Sequence, residues 1–257
     1  MEFKNLLVEN HDFISWISIH RPSKLNALNL AVLEELQVLF AQLKTDKNTR
    51  VIVLTGSGEK AFVAGADISE FAHFDQNQGT DLSRKGKELV FDFIASTHKP
   101  VIAAINGFAL GGGLELALSC HLRIATSNAR MGLPETSLGV IPGYGGTQRL
   151  PQIIGRGRAT ELILTGRMIN AEEALQVGLV SRVVPQNELL DTAALIAATI
   201  MKNSPHASSR AIRAIASAYE DGVDGMEKES EHFGACFDHP EFKEGTQAFL
   251  EKRKAKF

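Results

Sequence analysis

One stretch of the chain reads KPVIAAINGFALGGGLELALSCHLRIAT (residues 99–126) and passes through three kinds of local structure. Val101–Ile105 is a short, continuous apolar run, the pattern of a strand that is buried on both faces. The triple glycine at 111–113 predicts a turn, and a helix opens near Leu114. Residues 122–126 predict a second buried strand. Strand, turn, helix and strand in this order are typical of an α/β fold with a mostly parallel sheet.

The same alternation continues toward the N-terminus. Residues 13–19 alternate and are rich in β-branched and aromatic side chains, which predicts a strand. Asn29 is a suitable N-cap for a helix that runs to about Leu43. Residues 50–55 (RVIVLT) predict another buried strand, and residues 82–94 predict an amphipathic helix.

The last third of the chain has a different pattern, because strands nearly vanish after Arg156. Residues 170–173 (NAEE) predict the start of a helix that stops at Gly178, and residues 180–184 predict one last short strand. Four more helices are predicted at 189–202, 205–219, 225–237 and 240–254. The C-terminal part is therefore expected to be helical.

The bulk composition is that of an ordinary globular protein. The chain has 257 residues, of which 44% are apolar and 22% charged, enough for a sizeable core. A net charge of −3 gives no sign of a nucleic-acid or anionic-membrane partner. The two cysteines cannot form a disulfide framework and fit a reducing compartment. The N-terminal residues show neither a secretory nor a transit pattern, so a cytoplasmic protein is expected.

Residues 100–120 are apolar enough to be tested as a membrane span, since only Asn106, Glu115 and Ser119 are polar. A transmembrane helix would carry the glutamate inside the bilayer, at a cost of roughly 2.5–3.5 kcal/mol. It would also carry four glycines, three of them consecutive. The division into strand, glycine turn and helix is the better interpretation, and no membrane association is predicted.

The triple glycine leaves two interpretations open. A phosphate site is disfavoured, because no Lys-Ser/Thr pair follows and Glu115 would repel a phosphate. A backbone N–H at Gly112, unhindered by a Cβ and close to a helix N-terminus, suits a single carbonyl or thioester oxygen. The alternative is a tight strand-to-helix turn that needs positive φ. The stretch by itself does not separate the two.

Two glutamates stand beside this unusual backbone. Glu115 lies among apolar residues, which favours a desolvated acid with a raised pKa over an ordinary acid of the first helical turn. Glu135 follows Pro134 in an ordered turn and would alone be a surface acid. Together the two carboxylates offer the acid/base couple that adding or removing water beside a carbonyl requires. Two close carboxylates do not both ionise readily, so one could keep a proton near neutral pH.

The loop at residues 60–67 (KAFVAGAD) follows a buried strand, where ligands commonly bind in parallel α/β sheets. Its small residues at 64–66 let the backbone approach a ligand closely. Asp67 is interpreted as an N-cap, and with Glu70 it has the spacing of a capping box. The eight histidines and two cysteines show no metal-ligand spacing, so no metal is expected. The basic tail EKRKAKF is either a solvated helix end or a contact for phosphates.

Taken together, these segments resemble the crotonase superfamily and, within it, the enoyl-CoA hydratases. The resemblance covers almost the whole chain, in the order and spacing of the family. The matching stretches are RPSKLNAL (21–28), KAFVAGADISEF (60–71), the stretch at 99–126 quoted above, GLPETSLGVIPGYGGTQRLP (132–151), INAEEALQVGLV (169–180) and AFLEKRKAKF (248–257).

The resemblance implies a crotonase-like spiral of ββα units, with a core over residues 1–198 that holds the CoA and active sites. It implies a helical C-terminal trimerisation region over residues 199–257, and trimers that commonly pair into hexamers. Its substrate would be an acyl-CoA thioester, so that CoA is part of the substrate and no separate cofactor is needed. The expected reaction is the reversible syn hydration of a trans-2-enoyl-CoA to the (3S)-3-hydroxyacyl-CoA, as in fatty-acid β-oxidation.

The resemblance also assigns residues to this chemistry. Ala66 and Gly112 match the residues whose backbone N–H groups form the oxyanion hole of the family. Glu115 and Glu135 match the two glutamates that hold the water: Glu115 would activate it for attack on C3, and Glu135 would deliver a proton to C2. The implied CoA contacts are Lys24, Ala64, Gly65, Ala66, Asp67, Ile68 and Gly112, together with Phe249 and Lys252, which would reach the CoA of a neighbouring subunit.

Several rival functions stay open on the sequence. Members of the superfamily that change the acids become isomerases, dehalogenases, hydrolases or synthases, and retention of both glutamates favours a hydratase. The alternatives kept are an enoyl-CoA isomerase, a branched-chain enoyl-CoA hydratase and a non-catalytic RNA-binding relative. Leu133 stands where glutamine is common, and Tyr144 stands where a small residue or Phe is frequent. Both departures leave the preferred acyl chain length open.

Overall fold

The computed structural model describes residues 3–257 of the chain. Within them, ten strands lie at Leu6–His11 (β1), Ile14–Ile19 (β2), Val51–Gly56 (β3), Ala61–Val63 (β4), Val101–Ile105 (β5), Phe108–Leu110 (β6), Leu122–Thr126 (β7), Arg130–Gly132 (β8), Ile169–Asn170 (β9) and Arg182–Val184 (β10). Eleven α-helices lie at Leu30–Thr45 (α1), Gln76–Gly86 (α2), Asp92–Ala95 (α3), Gly112–Ser119 (α4), Gly146–Ile154 (α5), Arg156–Thr165 (α6), Ala171–Gln176 (α7), Leu189–Met201 (α8), Pro205–Ser217 (α9), Gly225–Phe237 (α10) and Pro240–Leu250 (α11).

The strands form two sheets. The larger has six strands in the order β1-β2-β3-β5-β7-β10, and the smaller has four in the order β4-β6-β8-β9. β1 is antiparallel to β2, and β9 to β8, whereas the other neighbours are parallel. β3 and β5 are buried along their whole length, which explains their continuous apolar sequences. The predicted α/β fold with a mostly parallel sheet is confirmed.

A repeated unit builds both sheets. One strand joins the larger sheet, the next joins the smaller sheet, and helix follows: β3, β4 and α2, then β5, β6 and α4, then β7, β8 and α5. Each unit lays its two strands beside those of the previous unit, because β3, β5 and β7 are neighbours, as are β4, β6 and β8. This arrangement is the predicted spiral of ββα units.

Two buried asparagines fasten the chain where it crosses from the larger sheet to the smaller. The Asn106 Nδ2 donates to the carbonyl of Gly56 at 2.8 Å, and its Oδ1 accepts from the Gly56 N–H at 3.2 Å. The Asn26 Nδ2 donates to the carbonyls of Ser57 and Ala61 at 3.0 and 2.8 Å. These side chains satisfy backbone groups at the buried end of β3 and at the start of β4, so they hold the two ends of the turn between the strands.

Gly113 lets α4 lie directly on β4, and this contact gives a stability prediction. A Cβ at position 113 would lie 2.0 Å from the Val63 carbonyl oxygen, a backbone atom that cannot move aside. Gly113→Ala is therefore expected to lower the free energy of unfolding by about 3 kcal/mol, the upper end of overpacking costs. Urea unfolding measures it. Gly157→Ala is the matched control, because position 157 of α6 has open space around it. Equal losses in both variants would contradict the prediction.

The sequence patterns do not predict the shortest elements of the fold. β4, β6 and β8 have three residues each, too few for a periodicity to register, and they were expected only through the family resemblance. α5 and α6 were not predicted. The helix predicted over 82–94 begins earlier, at Gln76, and contains a π-helical turn at Lys87–Phe91 between α2 and α3. α11 ends at Leu250 rather than at residue 254.

The predicted capping box at Asp67 and Glu70 was wrong. The Asp67 carboxylate makes no cap hydrogen bond, because it accepts instead from the Ser69 hydroxyl at 2.6 Å and from the Arg21 guanidinium at 3.2 Å. Glu70 turns to α1, where its Oε2 accepts from the Leu30 N–H at 3.0 Å. A 3-10 turn of three residues follows, and Asp67 occupies its N-cap position without the reciprocal hydrogen bonds of a capping box.

The C-terminal region begins with a helix that belongs to the core. α8 covers the larger sheet through Leu189, Ala193 and Ala197, which pack in one cluster with Val51 and Val53. The predicted boundary at residue 198 falls inside this helix, and residues 1–2 of the predicted core lie outside the described residues. No helix within residues 3–257 combines the length and apolar character needed to cross a membrane.

Candidate active site

Glu115 lies in the first turn of α4 and is only 1% exposed. Its Oε1 accepts hydrogen bonds from the backbone N–H groups of Tyr144 and Gly146, at 2.7 and 2.8 Å. Burial, together with the nearby charge of Glu135, raises the pKa of Glu115 from 4.5 to about 7, although both backbone donors oppose the change. Near neutral pH the side chain is therefore poised to accept or release a proton.

Glu135 lies on the 3-10 segment Pro134–Leu138 and is half-buried. Its Oε1 faces Gly111: a Cβ at that position would lie 2.7 Å from the oxygen, and Gly111 has a φ of +50°. Its Oε2 is buried and has no hydrogen-bond partner within residues 3–257. Burial raises the pKa of this carboxyl group as well. A buried oxygen without a partner is suited to a ligand or a water molecule.

Neighbouring parallel strands deliver both acids to the same place. Glu115 follows β6 and Glu135 follows β8, and these strands pair in parallel with Leu110 opposite Gly132. The Gly111 N–H donates to the Gly132 carbonyl at 2.9 Å, which extends the pairing beyond the end of β6. Because the carboxyl ends of parallel strands meet at one edge of a sheet, the segments that follow them converge there. The predicted pairing of the two glutamates thus has a structural cause.

The N–H of Ala66 points away from its own strand partner. Ala66 forms a parallel bridge with Leu28. The Leu28 N–H donates to the Gly65 carbonyl at 2.8 Å, and the Asp67 N–H donates to the Leu28 carbonyl at 2.7 Å. In this pattern the flanking residues make the bonds, and the residue between them turns its N–H to the opposite side. No acceptor within residues 3–257 receives the Ala66 N–H.

The N–H of Gly112 is also unpaired among the described residues. It opens α4, and the first N–H groups of a helix have no partner inside the helix. Leu28, the bridge partner of Ala66, also reaches this glycine, since a Cβ at position 112 would lie 3.6 Å from the Leu28 Cδ1. The two N–H groups without partners thus belong to residues that both neighbour Leu28, and one of them stands at a helix N-terminus. Such donors stabilise an oxygen on which negative charge develops.

The residues predicted to contact CoA fall into two groups. Ala64, Gly65, Asp67 and Ile68 surround Ala66 in one loop, and the Ala64 N–H donates to the carbonyl of the residue after Lys24, at 3.1 Å. Phe249 lies in the last turn of α11, which packs against α10, and Lys252 lies two residues beyond its end. No hydrogen bond within residues 3–257 joins either of them to the loop. Their predicted role, at the CoA of a neighbouring subunit, stays a prediction.

The loop at residues 142–146 supplies both donors to Glu115, a role that the sequence patterns do not assign to it. The Ser83 hydroxyl donates to the Gly143 carbonyl at 2.6 Å and ties the loop to α2. Arg149 donates to the Tyr144 carbonyl at 2.9 Å and forms an ion pair with Asp92 on α3. The available signal was the pair Gly145-Gly146: the first has a φ of +103°, and a Cβ on the second would lie 3.0 Å from the Glu115 Oε1.

The buried carboxyl of Glu115 makes stability depend on pH. Its folded-state pKa lies above the unfolded value, so its contribution to stability is complete below pH 4.5 and is lost as pH rises through about 7. The loss is roughly 3 kcal/mol, because one pKa unit corresponds to about 1.4 kcal/mol. Glu115→Gln keeps an oxygen for both N–H donors and cannot ionise. We expect it to exceed the wild type in unfolding free energy by roughly this amount at pH 8.5.

Urea unfolding of both proteins at pH 4.5 and pH 8.5 measures the difference. At pH 4.5 the two proteins should differ little. Glu172→Gln, at an exposed position of α7, is the matched control and should match the wild type at both values. If the unfolding free energies of Glu115→Gln and wild type differed by the same amount at both pH values, ionisation of Glu115 would not be what destabilises the folded protein.

Within residues 3–257 no group of three or more His, Cys, Asp or Glu side chains is arranged to hold a metal ion. The arrangement consists instead of two acids with raised pKa values beside two free backbone donors. It is suited to moving a proton at a carbon next to a carbonyl whose oxygen is held by the N–H groups.

Comparison with known proteins gives a consistent result. The family model described as enoyl-CoA hydratase/isomerase matches residues 9–257. The short-chain-enoyl-CoA hydratase of Clostridium acetobutylicum is 45% identical, over 99% of this chain and 97% of its own length. The crotonyl-CoA hydratase of Syntrophomonas wolfei is 42% identical, over 100% and 99%.

Solved structures agree with the fold. The crystal structure of an enoyl-CoA hydratase from Bacillus anthracis superposes with a TM-score of 0.91 at 44% identity, covering 99% of both chains. The structure of DspI from Pseudomonas aeruginosa gives a TM-score of 0.94 at 38% identity, covering 100% of this chain and 98% of that one. The mixed α/β fold with its helical C-terminal region is shared with these proteins.

Proposed function

The chain belongs to the enoyl-CoA hydratase/isomerase family, and we propose that it catalyses the reversible syn hydration of trans-2-enoyl-CoA to (3S)-3-hydroxyacyl-CoA. The observation that carries this proposal is the convergence of Glu115 and Glu135, both with raised pKa values, beside the free N–H groups of Ala66 and Gly112. Relatives named as hydratases of short-chain enoyl-CoA and crotonyl-CoA support the same substrate class.

The backbone donors begin the reaction. The thioester oxygen accepts hydrogen bonds from the N–H groups of Ala66 and Gly112, which draws electron density from the conjugated double bond and makes C3 electrophilic. When the nucleophile adds to C3, negative charge passes to this oxygen and forms an enolate. The helix dipole of α4 and both donors stabilise that charge. A preorganised donor of this kind lowers the activation barrier by about 2.7–4 kcal/mol.

The two glutamates supply water and move protons. Glu115, ionised, takes a proton from the water as its oxygen bonds to C3, and Glu135, protonated, gives a proton to C2 as the enolate collapses. One proton is taken up and one is released, so the enzyme carries the same number of protons before and after turnover. Because both carboxylates hold the water on one side of the enoyl group, hydrogen and hydroxyl add to the same face.

Retention of both acids favours hydration over the rival reactions. An enoyl isomerase needs one base that moves a proton between carbons, whereas adding water needs a base for the water and an acid for the carbon. A non-catalytic RNA-binding role gains no support from the net charge of −3. A branched substrate stays an alternative for the acyl group.

We expect the enzyme to assemble as a homotrimer or as a pair of trimers, located in the cytoplasm. The C-terminal helices and the segment that follows them carry large apolar side chains that a single chain leaves exposed: Tyr219, Met226, Phe233, Phe249 and Leu250. A shared surface between copies would bury them. It would also allow Phe249 and Lys252 to reach the CoA of the neighbouring subunit, with the basic lysine near its phosphates.

Product analysis tests the proposal. Crotonyl-CoA and trans-3-hexenoyl-CoA are each incubated with the purified protein in D₂O, and the products are identified by mass, chirality and NMR. We expect (3S)-3-hydroxybutyryl-CoA with one deuterium at C2, placed by addition to the same face as the hydroxyl. Conversion of the 3-enoyl substrate to the 2-enoyl isomer, without hydration of crotonyl-CoA, would instead identify an isomerase.

A further inference from the structure

The ring of Tyr144 lies against the reaction centre described above. Its backbone N–H donates to the Glu115 carboxylate, and the Cδ2–Cε2 edge of its ring faces Gly112, where a Cβ would lie 3.5 Å from Cδ2. The residue is 8% exposed, and its ring stacks on Phe91 with centroids 4.7 Å apart and planes 14° apart. The phenol therefore occupies space directly beside the proposed oxyanion donor and general base.

The opposite edge of the ring is set into the helical wall formed by α2, the π turn and α3. A Cβ at Gly86 would lie 2.3 Å from the Tyr144 Cε1, so this position accepts the ring only as glycine. Gly86 and Phe91 are five residues apart, which in an α-helix would separate them by about 140° around the axis. The π-helical turn Lys87–Phe91, with its wider i→i+5 bonding, brings both to the same side.

The loop that carries the ring is fixed on both sides. Ser83 holds the Gly143 carbonyl from α2, and Arg149, paired with Asp92 of α3, holds the Tyr144 carbonyl. Both anchors lie on the same helical wall as Gly86 and Phe91. The ring cannot swing away without breaking the stacking and loosening the N–H donors to Glu115, so it forms a fixed surface.

We propose that Tyr144, held by Gly86 and Phe91 across the π turn, ends the acyl pocket and limits the substrate to short enoyl chains. The inference rests on the proposed function, which places the thioester oxygen at Gly112 and C3 beside Glu115. Carbons beyond C3 continue past Glu115 toward the loop at 142–146 and meet the ring there. A crotonyl group has one carbon beyond C3 and ends before it reaches the Tyr144 ring. A decenoyl group has seven carbons beyond C3 and would run into the ring.

Kinetics with substrates of two chain lengths test whether Tyr144 limits the acyl pocket. kcat/KM is measured for crotonyl-CoA and trans-2-decenoyl-CoA with the wild type, Tyr144→Ala and Tyr144→Phe. The decenoyl-to-crotonyl ratio should rise about 10- to 100-fold in the alanine variant, because each methylene buried in the vacated space is worth roughly fourfold. Phenylalanine keeps the ring and should hold the ratio within about threefold of wild type, as a near-isosteric change.

Each outcome decides the inference. A wild type that already hydrates both substrates equally well would overturn it, as would an active alanine variant with an unchanged ratio. If Tyr144→Ala does not fold, Tyr144→Leu replaces it with the same expected direction. Binding of butyryl-CoA and decanoyl-CoA, neither of which can be hydrated, separates the two proposals. An inactive wild type that binds only the shorter chain would contradict the hydratase function but support the limit that Tyr144 sets on chain length.

Discussion

Replacing Glu135 by glutamine is expected to lower kcat for crotonyl-CoA hydration by about 10²–10⁴-fold, the usual contribution of a general acid or base. Glutamine has nearly the same shape and cannot deliver a proton to C2. The Oε2 of Glu135 is buried without a partner, so the change removes the proton and breaks no hydrogen bond of that atom. KM should change little, because other residues hold the thioester. Steady-state rates over a range of crotonyl-CoA concentrations give both constants.

Glu115→Gln is expected to show a loss of the same size for a different reason. The amide still accepts from the N–H groups of Tyr144 and Gly146, so the loop stays in place, but it cannot take a proton from water. The control is Glu172→Gln on the exposed surface of α7, which should retain wild-type kinetics. If either active-site variant kept a kcat close to that of the control, the assigned acid/base couple would be wrong.

Gly112→Pro is expected to lower kcat by about 10²–10³-fold, the effect of removing one oxyanion donor. Proline is well accepted at the first position of a helix, where its fixed φ suits the chain and its missing N–H breaks no helical bond. The substitution therefore removes the donor while α4 is expected to form. The loss should fall mainly on kcat, because the thioester oxygen carries more charge in the transition state than in the bound substrate.

Gly112→Ala separates the donor from the space around it. An alanine Cβ would lie 3.5 Å from the Tyr144 Cδ2 and 3.6 Å from the Leu28 Cδ1, which are ordinary contacts, and the N–H is kept. We expect this variant to exceed the proline variant in kcat by at least about tenfold, since only proline removes the donor. Circular dichroism checks that both retain their helices. Equal losses in both would mean that crowding, and not the N–H, explains the effect.

The elements that carry the acids could be predicted because each has a strong local signal. The apolar run Val101–Ile105 has the pattern of a buried strand, and the glycines that begin at Gly111 mark the change to a helix, so Glu115 falls in the first turn of α4. Pro134 likewise forces an ordered turn before Glu135. The convergence of the two acids then depends only on parallel pairing of the strands that precede them.

What could not be predicted depends on contacts between distant segments. The donors that hold Glu115 come from residues 144 and 146, about thirty positions away, and only the folded chain brings them to the carboxylate. The π turn that fits Gly86 and Phe91 around one ring has no sequence pattern of its own. Asp67 had the pattern of an N-cap, but Arg21 competes for its carboxylate from another part of the chain.

The most direct test of the proposed hydration is the rate at which the purified wild-type protein removes the conjugated enoyl-thioester absorbance of crotonyl-CoA, measured beside Glu135→Gln. We expect rapid loss of absorbance with the wild type and a rate lower by about 10²–10⁴-fold with the variant. Absorbance that stays constant with a wild-type protein that still binds butyryl-CoA would contradict it.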